Sequence, residues 1–185
     1  MKKLLAVVVL FLATLPASAE TAVFKLSLWD HLALATPANT QDVTGVDFGI
    51  MSNTATVTGV QLDLLIAQTQ YELKGLSSAW IVSMVGETYG AQAALLTKTE
   101  KLTGAQLGVV NMVENSGTGV QWGFFNKAEF IHGAQLGFVN YSKDVNGLQF
   151  GFVNYAQHIY GIQIGLLNIA KNGWFPAMVL VNGRF

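Results

Sequence analysis

The sequence predicts an all-β fold: a short-repeat antiparallel meander that closes into a transmembrane β-barrel of about 10–12 strands. Three observations predict it. A glycine-opened unit recurs at intervals of 14 to 16 residues between Gly45 and Asn168. Within each unit apolar residues alternate with polar or small ones, the period of a strand. Only 11% of the 185 residues are charged, against roughly 25% in ordinary soluble domains.

The elements follow in chain order. Lys2 and Lys3 precede the apolar run Leu4 to Leu15, and Ala17-Ser18-Ala19 closes it with small residues. This is the layout of a secretory signal peptide, cleaved between Ala19 and Glu20. The apolar run is too short to span a bilayer, which takes about 20 helical residues. Residues 1–19 are therefore read as a leader and residues 20–185 as one repeat-built domain. Phe24 to Trp29 alternates like a first strand. Nine units then open at Gly45, Gly59, Gly75, Gly90, Gly104, Gly119, Gly133, Gly147 and Gly161. The segment Phe175 to Phe185 reads as a last strand, which brings the total to about eleven strand-forming segments. Closed single-chain bacterial barrels usually have an even count, so one segment is missed or over-counted, or Phe24 to Thr36 supplies two short strands. The segments between units carry most of the charge, as in Glu72/Lys74, Lys127/Glu129 and Lys143/Asp144, and read as turns.

Writing h for an apolar residue, the consensus is G-h-Q-h-G-h-h-N. The first, third and fifth positions after the glycine are apolar at 26 of 27 sites, Ser78 being the exception. The second position holds Gln61, Gln92, Gln106, Gln121, Gln135, Gln149 and Gln163, and the seventh holds Asn111, Asn126, Asn140, Asn154 and Asn168. This run resembles a bacterial surface-repeat family, first named from a spirochaete surface protein. The resemblance is sharp from Gly104 to Asn168. It is eroded earlier, where Asp47, Asp63, Ile66, Ser77, Val82 and Thr97 interrupt the pattern. It implies a secreted, envelope-associated protein without assigned chemistry.

Two architectures satisfy the alternation. In a barrel the apolar stripe faces lipid, and the glutamines line the lumen. A mid-membrane Lys or Arg costs about 2–4 kcal/mol there, and none of the 27 apolar sites is charged. The terminal Phe185, with Val181 and Val179 alternating behind it, resembles the carboxy-terminal signal of outer-membrane barrels. The alternative is a parallel β-solenoid with one unit per rung. Its apolar face would point inward, its glutamines would form an exposed amide stripe, and its asparagines would stack at a corner. A rung of this length encloses a thin core, and a soluble solenoid should carry more charge, so the barrel is preferred.

The functional expectation is a small outer-membrane barrel with a structural or weak passive-pore role and no catalysis. The alternative is a surface-displayed solenoid acting as an adhesin or interaction module. Outer-membrane lipid, the export route and the barrel-assembly machinery are the expected partners. A formal net charge of −1 offers no basic footprint for nucleic acid. There are no cysteines, so thiolate metal sites and disulfides are excluded. No metal or cofactor is expected. His31, His132 and His158 read as solvated turn residues. Asp47 and Asp63 lie on the Gln/Gly face with Lys25 on the same face of the first strand, and their roles read as structural.

Overall fold

The computed structural model describes residues 21–29, 32–33 and 41–185. The cleavage pair Ala19 and Glu20, and His31, lie outside them. The described chain is β throughout, with seven elements: β1 (Ala22–Trp29), β2 (Leu32–Ala33), β3 (Asp42–Ala79), β4 (Val82–Ala93), β5 (Leu96–Leu107), β6 (Val110–Ala170) and β7 (Ala177–Arg184). They form a single sheet in the order β2-β1-β3-β4-β5-β6-β7.

The pairing identifies a solenoid. β3 pairs with β4, β4 with β5 and β5 with β6, all in parallel. Gly75 lies against Gly90, Gly90 against Gly104 and Gly104 against Gly119. Each unit therefore coils once and stacks in register on the unit before. A meander barrel would require antiparallel neighbours and a bond between first and last strands. The only antiparallel pairs among the described residues are the short hairpin β1–β2 and the closing β6–β7. The barrel expectation is thus corrected to its alternative, the β-solenoid, and the strand count falls with it. Phe185 lies just past β7, exposed and tilted against Trp174 at 5.9 Å, where it closes no barrel.

Two misread features account for the difference. The charged segments between units are strand, not turn: Lys127, Glu129, Lys143 and Asp144 all lie in β6. Each unit therefore contributes two strand stretches joined by corners. One corner falls at positions five to seven. There the ladder continues round the bend through Leu96 N–H to Ile81 O (2.9 Å), Val110 N–H to Leu95 O (2.9 Å) and Phe125 N–H to Val109 O (2.9 Å). The other corner is the opening glycine, with φ between 132° and 141° in all nine units. That region strains any residue with a Cβ. A Cβ at Gly133 would also collide with the carbonyl oxygen of Gly119, the glycine stacked beneath it.

At the carboxy-terminal end β7 reverses direction, and Gln163 lies opposite Asn182. Solenoids need atypical end units to close their stacked edges, and β7 fills that place.

Candidate functional site

The unit is inside-out relative to an ordinary β-solenoid. All seven ladder glutamines are fully buried, as are the five repeat asparagines, whereas none of the 27 apolar-face residues is buried. The amide stripe expected to be exposed in a solenoid is the core, and the expected core is the surface. A thin rung explains why. On the side of the glutamines one extended amide spans the gap to the opposite backbone. Gln121 Nε2 donates to the carbonyl of Lys127 across its own rung (3.1 Å), and Gln149 reaches Tyr155 in the same way (3.1 Å).

The amides then link rung to rung. Each glutamine from Gln106 to Gln163 donates to the one before it, at 2.7 to 3.0 Å. The asparagines donate the opposite way: Asn111 to Asn126, Asn126 to Asn140, Asn140 to Asn154 and Asn154 to Asn168, each at 2.8 Å. The two columns of amide dipoles thus run antiparallel along the axis. Position four is glycine because the asparagine needs the space. A Cβ at Gly137 would stand 2.6 Å from Asn126 Nδ2. Beyond the amides, Val113, Ala128, Ile131, Val145, Ala156 and Ile159 form the apolar half of the interior. Among the described residues the interior positions are filled by packed side chains rather than opening inward as a barrel lining.

The amino-terminal rungs depart from this plan. Asp47 takes a glutamine position and Asp63 a glycine position. The coil stacks these positions near each other, although they are not equivalent within the repeat. Both acids are buried, together with Lys25. Ser27 Oγ donates to Asp47 at 2.9 Å, and Ser52 Oγ donates to Asp63 at 2.5 Å. Burial pushes the Asp47 carboxyl above its ordinary range, against the pull of Lys25. Burial pushes Asp63 up to about 7, the Ser52 hydrogen bond opposes the rise, and the neighbouring Asp47 charge adds to it. The cavity bordered by Asp63 is about 200 Å³ and is walled by Phe48, Leu62, Leu64 and Trp80.

His132 and His158 lie in β6, on the second outer face, rather than in turns. They border an open groove of about 610 Å³ with Phe130, Asp144, Tyr160 and Arg184. His158 Nδ1 stands 2.9 Å from Asp144 Oδ1. This contact joins neighbouring rungs, as do the ion pairs of Lys143 with Glu129 and of Lys101 with Glu87 (2.6 Å). Among the described residues no three His, Asp or Glu side chains gather at metal-binding distance.

Chemistry is therefore divided between two outer faces. One carries the ion pairs. The other is a continuous apolar sheet from Phe48 to Leu166. Within it Trp122 is 64% exposed, Phe124 58% and Phe150 54%. The rings of Phe124, Phe138 and Phe152 stack along the axis with centroids 4.9 and 4.7 Å apart. That spacing is the distance between hydrogen-bonded strands. The chain matches no family model, no curated protein and no solved structure. The candidate site is this apolar face. The alternation was legible, but which side faced out was not. One signal pointed to it: a glycine three residues before each late asparagine leaves room for an amide, and a water-filled lumen has no such need.

Proposed function

We propose that the chain is an exported, surface-displayed β-solenoid that serves as a non-catalytic interaction module and binds through its apolar face. The observation that carries the reading is the exposure of that face across nine stacked units. Contiguous apolar patches beyond a few hundred Å² mark docking surfaces on soluble proteins. The leader-like segment at residues 1–19 supports export, and the resemblance to envelope surface repeats agrees with it. No catalytic step is assigned. In the groove Asp144 and His158 form a hydrogen bond between rungs. Outer-membrane lipid and the barrel-assembly machinery are partners suited to a closed barrel; this reading calls only on the export route.

Protease treatment of intact producing cells, with sequencing of the recovered amino terminus, tests the reading. Cleavage by external protease and a mature start at Glu20 are expected. An intact Met1 on protein retained in the cytosol would contradict it.

A further inference from the structure

We infer that the partner of the apolar face is a second copy of this chain, packed face to face with the two solenoid axes parallel. This rests on the interaction reading above and names its partner.

Area is the first argument. Nine strands at about 4.8 Å spacing make a face roughly 40 Å long, and five residues at about 3.3 Å make it roughly 16 Å wide. A pair would then bury about 1,200 Å² in total, the lower edge of the range for specific interfaces. Electrostatics is the second. No charge occupies any of the 27 outward sites, so identical copies do not repel across the face. Nothing on it attracts lipid headgroups either, and a flat rigid sheet must displace headgroups to reach the acyl chains. Shape is the third. Position five forms a tall ridge in the late units, Phe124, Phe138 and Phe152, whereas position one is lower there, Val120, Ala134 and Leu148. A two-fold axis parallel to the solenoid sets each ridge against the partner's low column at the same rung. The middle column then meets its own counterpart. Stacked sheets of this kind pack about 10 Å apart.

The full chain, sedimented without detergent, tests the inference. A mass twice that of the monomer is expected. Phe138→Asp and Ala134→Phe should each return it to monomer with an unchanged far-ultraviolet dichroism spectrum, since both side chains point outward. Because the chain has no cysteine, single thiols report the packing. A bis-maleimide of about 10 Å span, matched to the sheet separation, should couple Ala134→Cys copies to Phe138→Cys copies. It should leave Phe138→Cys copies alone unlinked. Self-coupling of Phe138→Cys would overturn the parallel arrangement. A monomer that floats with phosphatidylcholine vesicles would overturn self-pairing and leave the interaction reading intact. A monomer that binds neither vesicles nor itself, and is unaffected by Phe138→Asp, would overturn both.

Discussion

In the units from Gly104 to Asn168 every glutamine donates to the one before it and every repeat asparagine before Asn168 to the one after, so the amides form two continuous columns, with one side branch where Ser142 Oγ also donates to Gln135 Oε1 (2.9 Å). In the units from Gly45 to Thr97 the same interior positions are filled by Asp47, Asp63, Ser77 and Thr97, and the bonding branches. Gln61 Oε1 accepts from both Thr69 (3.0 Å) and Ser77 (3.1 Å). Ser77 and Ser83 share a further bond at 2.9 Å, and Gln92 Nε2 reaches Ser83 Oγ at 3.2 Å. The coil is the same in both halves. The contrast shows that the fold requires the backbone corners and a hydrogen-bonded polar interior, in which Asp47 Oδ2, Asp63 Oδ1 and Gln163 Oε1 lack a partner among the described residues, and that a uniform ladder is one of several ways to build it. Regularity makes each late amide indispensable to two neighbours. Irregularity gives the early half more hydroxyl donors around its glutamines, and it also brings buried acids.

The largest expected effect is common to both halves. Gly133→Val places a Cβ against the Gly119 carbonyl at a φ of 135°, and circular dichroism should show no folded protein. A folded variant would refute the corner geometry. Next comes the late ladder. Gln121→Leu strands Gln106 Oε1, Gln135 Nε2 and the Lys127 carbonyl. Each unsatisfied buried group costs about 1–3 kcal/mol, so denaturant titration should show a loss of roughly 5 kcal/mol.

The early half should differ in its response to pH. The Asp63 carboxyl sits near 7 in the folded chain against an ordinary 3.8. It therefore costs nothing below pH 3.8, where both states hold the proton. The cost grows as pH rises from there to 7, because the unfolded chain ionises first, and is constant above. A shift of that size amounts to at most roughly 4 kcal/mol. Asp47, raised in the same direction, adds to the slope. Stability should thus fall between pH 4 and 7, and Asp63→Asn should flatten the profile. An unchanged slope would show that the acid cluster is hydrated. The smallest effect is Thr69→Val, which removes one of two donors to Gln61 Oε1 and should cost about 1 kcal/mol. A loss equal to that of Gln121→Leu would erase the distinction between the halves.

Much of this fold was written in the repeat itself. Period-two alternation marked the strands, the spacing marked the rungs, and Phe24–Trp29 and Phe175–Phe185 foreshadowed β1 and β7. Orientation was hidden because alternation is symmetric: it separates two faces without saying which is wet. A scarcity of charge has the same ambiguity, being compatible with lipid outside or with a bare face awaiting a partner. The corner at positions five to seven was concealed by its composition. Phe125, Val139 and Val153 are apolar at a position of glutamine parity, and they are the half-exposed residues where the chain bends. The acid cluster was unreadable for another reason. Asp47 and Asp63 meet only because one coil stacks on the next, whereas along the chain they are unrelated.

The account turns on glutamines held dry inside and an apolar stripe held outside. Hydrogen exchange of glutamine side-chain amides, followed by NMR, tests it most directly, with exposed Gln41 and Gln70 as internal references. The seven ladder amides should exchange as slowly as the strand backbone while the two references exchange at once. If Gln106, Gln121 and Gln135 exchange as fast as Gln70, the amides face water and the inside-out solenoid is wrong.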